Sequence, residues 1–115
     1  MAAIFEQVRK AGGFVFVSGQ TPLTGSGDVP SDAAEQAEVV IEKVGSLLAD
    51  AGASLEDVVK VTYFLTDIGD LGAVRAALDQ VLPHPRPAAS LVEVSALVDP
   101  RFRIEIEATE YRPPA

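Results

Sequence analysis

The sequence predicts an α+β fold of order β-β-α-β-α-β-β, with two helices packed on one face of a mixed sheet. Short runs dense in β-branched and aromatic residues, "FVFVSG" at 14–19 and "VVKVTYFL" at 58–65, have the composition of strands. Two longer stretches, 32–52 and 67–82, place apolar residues every three or four positions, as amphipathic helices do. The segment "RFRIEIEATEY" at 101–111 alternates apolar and charged residues, the pattern of a half-buried strand.

Residues 3–10, "AIFEQVRK", are expected to form a short first strand, and Gly12 and Gly13 the turn into the second. "TPLTGSGDVP" at 21–30 is a Gly/Pro-rich loop. The first helix begins at Asp32, whose spacing to Glu35 is that of a capping box, with Ser31 as an alternative cap. Ala34, Ala37, Ile41, Val44 and Leu48 make its apolar stripe, and Gly52 supplies a left-handed stop. Gly45 inside this helix costs about 1 kcal/mol against Ala, so a close-packing role is one reason for it.

The second helix carries Leu71, Val74, Leu78 and Val81 or Leu82 on one face, and "PHPRP" at 83–87 ends it. Residues 89–96 are expected to form the next strand. In the last two strands, Leu91, Arg101, Arg103, Glu105 and Glu107 are expected on faces that alternate with Val92, Val94, Ile104 and Ile106. Two helices cover only one sheet face, and 115 residues leave no third layer for the other. A face that mixes apolar and charged side chains suggests an oligomer with polar clefts at its subunit contacts.

Composition narrows the function classes. The length suits a single domain, 1–115. The absence of cysteine excludes disulfides, thiolate nucleophiles and Cys-zinc sites. A single histidine, His84, argues against a multi-histidine metal site, and its proline neighbours suggest a surface loop. The net charge is −8, with nine Lys and Arg scattered among seventeen acids, so no nucleic-acid partner is expected. No run of about 18 apolar residues exists, so no membrane span is expected. "MAAIFEQVRKAGG" lacks a basic stretch followed by a long apolar run, so no secretory signal is expected and the location is read as cytoplasmic. Ser18 has no His or Lys partner in the sequence, which argues against a serine nucleophile.

Four segments then combine in order over nearly the whole chain: "FVSGQTPL" at 16–23, "EQAEVVIEKVGSLLADAGASLEDVVKVTYFLTDIGDLGAV" at 35–74, "PAASLVEVSAL" at 87–97 and "IEIEA" at 104–108. Together they resemble the RidA, or YjgF-like, family. The resemblance implies a chorismate-mutase-like fold and a barrel-like homotrimer with helices outside, sheets inside and a ligand cleft at each subunit interface. It also implies hydrolysis of reactive 2-imino or enamino acids to 2-oxo acids and ammonia, with no metal or organic cofactor. Ser18 and Gly19 match the family's ligand-contacting Ser-Gly pair, Glu105 matches its water-positioning, catalytic glutamate, and Leu91 matches a cleft-lining position often held by Cys or Thr.

Three positions depart from the family pattern. Phe5 stands where a ligand-contacting Tyr is common, and Arg75 where the second helix commonly offers an Asn. Ala89, in "Pro-Ala-Ala-Ser", stands where the carboxylate-binding arginine belongs. Losing a desolvated, bidentate contact of that kind costs about 2–5 kcal/mol of binding. This argues against ordinary 2-iminobutanoate or 2-iminopropanoate deamination. It leaves a divergent hydrolase of imines, enamines or related small compounds, or a non-catalytic ligand-binding or regulatory trimer.

Three arginines are candidates to replace the missing cation, and a fourth reading is that none does. Arg75 either faces the cleft or pairs at i,i+4 with Asp79. Arg103 shares a strand face with Glu105, or forms a structural ion pair. Arg86 is stiffened by flanking prolines but sits in a loop. Glu107, Tyr63 and Phe64 are read as structural.

Overall fold

In the computed structural model, which describes residues 3–113, alternation of buried and more exposed residues along the three central strands gives the sheet one apolar side, and two helices close over it. Residues 1–2 and 114–115 of the expected 1–115 domain lie outside the described residues. The elements are β1 Val8–Ala11, β2 Phe14–Gln20, α1 Ala33–Asp50, β3 Val58–Leu65, α2 Leu71–Asp79, β4 Ala88–Glu93 and β5 Ile104–Tyr111. The sheet runs β1-β2-β5-β3-β4, antiparallel except for the β3–β4 pair, which α2 connects in parallel. The expected order and mixed sheet are both present.

The core lies between sheet and helices. Val15, Val17, Val61, Leu65, Ile104 and Ile106 meet Ala37, Val40, Ile41, Val44 and Leu48 of α1, with Val74 and Leu78 of α2 in the same cluster. Each such aliphatic side chain contributes about 1.5–3 kcal/mol when fully buried. The α1 stripe lies a little to one side of the expected one: Ala33 and Val40 are buried, while Ala34 is half-exposed. Asp32 caps the helix, its carboxylate accepting from the Ala34 N–H at 2.7 Å. Gly52 follows the helix at φ +80°, and the Ala53 N–H bonds back to Leu48 O at 2.8 Å.

One buried polar residue in α1 links it to the sheet. Gln36 is fully buried and donates from Nε2 to Pro30 O at 2.7 Å and Arg101 O at 2.9 Å. Its Oε1 accepts from the Arg103 N–H at 2.7 Å. It thereby holds the approach to β5 against α1.

Several boundaries differ from the sequence expectation. The first strand begins at Val8 rather than residue 3, because Val8↔Val17 is the last regular pair before β2 bulges, and Ile4 and Phe5 are left exposed. The helix expected over 67–82 is regular only over Leu71–Asp79. It is preceded by a tight 3₁₀ turn at Ile68–Asp70, capped by Asp67 accepting from the Gly69 N–H. β5 starts at Ile104 rather than 101, because Asp99 accepts from the Arg101 N–H at 2.9 Å and folds 99–102 into a turn. β4 spans 88–93 rather than 89–96, since its partner β3 ends at Leu65 opposite Glu93.

The face of Leu91 also differs from the expectation. Parallel pairing sets Leu91 opposite buried Tyr63, so Leu91 packs on the helix side, while Val92 pairs with Phe64 and is exposed. Glu105 and Glu107 do lie on the open face, alternating with fully buried Ile104 and Ile106. That face also carries Phe14, Phe16 and Tyr111, with ring centroids 5.8 Å apart for Phe14–Phe16 and 4.8 Å apart for Phe14–Tyr111. Among the described residues, no helix is long and apolar enough to cross a membrane.

Gly45 needs no close approach. A Cβ built on it would meet the Leu55 side chain, Cδ1 at 3.6 Å and Cγ at 3.8 Å, both ordinary contacts. Gly45→Ala is therefore expected to raise unfolding stability by about 0.5–1 kcal/mol through helix propensity, measured by urea denaturation. A loss of stability would show that helix α1 is pressed against something at this point.

Candidate functional site

Pairing of β2 with β5 breaks between Val17 and Gln20, where three steps along β2, from Val17↔Ala108 to Gln20↔Ile106, match two along β5. Ser18 and Gly19 form this bulge. The Ser18 N–H bonds Gln7 O at 2.9 Å and its hydroxyl donates to Glu6 O at 2.6 Å. Gln20 Nε2 donates to Gln7 Oε1 at 2.7 Å and to Ser18 O at 2.9 Å. These bonds strap residues 6 and 7 to the bulge and hold Phe5, 57 % exposed, beside them.

Gly19 lies directly against Glu105. A Cβ at position 19 would stand 2.8 Å from the Glu105 Cδ, so only glycine lets strand and carboxylate approach this closely. Glu105 is half-buried and sits opposite Phe64 on β3. Among the described residues its carboxylate has no hydrogen bond and is in none of the four ion pairs. Burial pushes its pKa above the usual carboxylate range, and the neighbouring Glu107 pushes it further the same way. An unpaired, half-desolvated carboxylate of this kind can hold a water and accept its proton.

The other expected site residues gather elsewhere. A groove of about 430 Å³ runs between α2 and β4, lined by Tyr63, Val74, Arg75, Leu78, Arg86 and Leu91 among others. Ala89 lies on the same strand face as Leu91, two residues earlier, and is exposed. Arg75 is exposed and does not pair with Asp79, which binds Arg86 Nη2 instead at 2.9 Å. His84, in the loop as expected, places Nε2 3.1 Å from the same Arg86 nitrogen. Burial raises the pKa of the Tyr63 phenol, and the charge of Arg86 opposes that shift.

Arg103 is committed elsewhere. Its Nε and Nη2 donate to the two Asp70 carboxylate oxygens, each at 2.9 Å, which pins the start of β5 to the turn before α2. Sequence parity placed Arg103 beside Glu105, but Arg103 precedes the first paired residue of β5. Tyr63 and Arg86 were the opposite case. Tyr63 was read as packing and Arg86 as the third candidate cation, yet both line the groove. The available signal for Tyr63 was its alternation with Phe64, which sends the two side chains to opposite faces.

The site residues therefore divide between the two faces of the sheet. Glu105 pairs with Phe64 on the open face, and Leu91 pairs with Tyr63 on the helix face. A single chain does not close a cleft around both groups. Among the described residues, no three His, Cys, Asp or Glu side chains gather as they would to hold a metal ion.

A family model described as Endoribonuclease L-PSP matches residues 1–111. A RutC family protein of Pyrococcus abyssi is 40% identical over 111 residues, covering 94% of this chain and 86% of its own. TdcF of Escherichia coli, named as a candidate reactive intermediate deaminase, is 33% identical over 105 residues, covering 88% of this chain and 81% of its own. The crystal structure of TdcF with bound serine superposes with a TM-score of 0.91 at 31% identity, covering 97% of this chain and 91% of that one. RidA from an Antarctic Psychrobacter gives a TM-score of 0.91 at 32% identity, with the same coverage of 97% and 91%. The bulged Ser-Gly against a strand glutamate, the two-helix mixed sheet and these matches along nearly the full length agree, and the chain belongs to the RidA, or YjgF-like, family.

Proposed function

We propose that this chain is a divergent, cofactor-independent hydrolase of imines, enamines or related small metabolites, working in clefts between the subunits of a homotrimer. The observation that carries the reading is Glu105, a half-buried carboxylate without a cation partner among the described residues, backed by Gly19. In the proposed reaction Glu105 takes a proton from water as the water oxygen bonds to the imine carbon, and the imine nitrogen gains a proton. The proton gained by nitrogen is the one Glu105 removed; the hydroxyl proton of the resulting carbinolamine then passes to nitrogen as the C–N bond breaks, and ammonia and a carbonyl product separate.

The division of the site supports the assembly. Glu105 and Gly19 belong to the open face, whereas Arg75, Ala89 and Leu91 belong to the helix face, so one subunit's half would complete a neighbour's. The exposed Phe14, Phe16 and Tyr111 cluster supports cover of the open face by another copy. The serine bound to TdcF and the deaminase wording of its name support a small metabolite carrying a carboxylate. The chain is proposed to act as a single domain, 1–115, in the cytoplasm, without metal, organic cofactor, nucleic acid or membrane.

Ala89 favours a second reading, a ligand-binding or regulatory trimer without catalysis, because residue 89 cannot bind a carboxylate. RNA cleavage, the activity in the family model's description, is opposed by the net charge of −8 and by four of the nine Lys and Arg being held in ion pairs. The test is sedimentation together with ammonia release from freshly generated imines, comparing wild type with Ala89→Arg. A trimer that releases ammonia, with faster turnover of 2-iminopropanoate in Ala89→Arg, is expected. A clean monomer at micromolar concentration overturns the interface cleft, and ligand binding with no ammonia from any imine selects the second reading.

A further inference from the structure

We propose that Arg86, together with the Tyr63 hydroxyl, is the carboxylate anchor of the α2–β4 groove, in place of the cation that residue 89 lacks. This rests on the interface-cleft reading for its use, but not for its geometry. Every hydrogen bond of the Arg86 side chain leaves from Nη2, to Asp79 Oδ1 at 2.9 Å, to Asp79 O at 3.3 Å and to His84 Nε2 at 3.1 Å. Nη1 has no acceptor among the described residues, so this end of the guanidinium keeps N–H donors for a ligand. Asp79 fixes one nitrogen and thereby orients the fork before any ligand arrives, which lowers the ordering cost of binding.

Tyr63 forms part of the same groove, and its hydroxyl has no hydrogen-bond partner among the described residues. The side chain is mostly buried, and the charge of Arg86 acts on its phenol. The charged lining is Arg75, Arg86 and Asp79, a local net charge of +1 in a chain of −8. A carboxylate is the ligand group that suits an oriented guanidinium with a donor to spare and a phenol beside it. Val74, Leu78, Leu82 and Leu91 make the remaining wall apolar. The substrate class is therefore a monocarboxylate bearing an apolar or aromatic substituent.

The competing explanation is that Arg86–Asp79 only ties the 83–87 loop to α2. Calorimetric titration of the full-length protein with phenylpyruvate separates the two, with phenylacetone as the uncharged analogue. Arg86→Gln is expected to weaken phenylpyruvate roughly 10- to 100-fold while leaving phenylacetone unchanged. Tyr63→Phe is expected to weaken phenylpyruvate several-fold. Asp79→Asn, which removes the charge of the ion pair but keeps an oxygen acceptor for Nη2 and so the orientation of the guanidinium, is expected to retain binding. Equal losses in Arg86→Gln and Asp79→Asn, unchanged affinity in Arg86→Gln, or no phenylpyruvate binding by the wild type at millimolar concentration overturns the proposal. Arg86-dependent binding without ammonia release from any imine would defeat the hydrolase reading alone. Ammonia release that needs Glu105 but not Arg86 would defeat this anchor alone.

Discussion

Glu105→Gln is expected to lower imine hydrolysis roughly 10²- to 10⁴-fold with little change in ligand affinity, because it removes the proton acceptor and keeps the shape. Only the side chain's basicity changes, so kcat falls while KM stays near its wild-type value. Gly19→Ala acts through the same carboxylate: its Cβ meets the Glu105 Cδ at 2.8 Å and forces the side chain to move. It is expected to lower kcat without unfolding the protein. The pH profile gives an independent readout. Burial, and then Glu107, raise the Glu105 pKa, so the basic form accumulates at higher pH than for an ordinary glutamate. The rate therefore rises with pH through that raised pKa and levels off above it. Glu107→Gln removes the second cause and moves the acidic limb to lower pH. The same raised pKa means that folding favours protonated Glu105, so its contribution to stability is greatest below the unfolded-state pKa and is lost as pH rises through the folded one. Full activity in Glu105→Gln, or an acidic limb that ignores Glu107→Gln, would remove Glu105 from the chemistry.

Gln36→Leu is expected to cost about 3–5 kcal/mol of unfolding free energy, the largest stability effect of any single change proposed for this chain. The substitution nearly conserves volume but strips partners from Pro30 O, Arg101 O and the Arg103 N–H in one step. Each of those backbone groups costs about 1–3 kcal/mol if left buried and unsatisfied. Gln36→Glu keeps the acceptor for the Arg103 N–H but turns a carboxylate toward two carbonyl oxygens, so it is expected to be no better tolerated. Denaturant unfolding at fixed protein concentration measures both. A change below about 0.5 kcal/mol in Gln36→Leu would mean that water replaces the amide at this point.

The pattern of single residues explains where sequence reading succeeded. Alternation in "RIEIEA" placed Glu105 on the face opposite Ile104 and Ile106, and the periodic apolar residues of 33–50 located α1. Both signals are local, since they depend only on the strand and helix repeat. Gln36 carried no such signal. A glutamine on a helix surface and one that bridges three backbone groups look alike in one dimension, and its partners lie 65 and 67 residues away in two of three bonds.

The faces of β4 show the same limit. Its alternation was legible, but its phase was not, because the parallel register Tyr63↔Leu91 is set by the crossover through α2 and not by residues 88–93. Leu91 therefore went to the helix side against expectation. Likewise Arg103 left the Glu105 face for Asp70, thirty-three residues upstream.

The sequence by itself determined the element order, the two-helix cover of the sheet, the family and the outward position of Glu105, because repeat period and local motif suffice for each. Only the tertiary structure decided that Arg75 and Arg86 line the groove and Arg103 does not. Arg75, Arg86 and Arg103 are chemically alike in the sequence, and their roles differ through the position of Asp79 and Asp70 in space. Charge pairing acts across a few ångströms whatever the chain separation, so no short-range pattern records it.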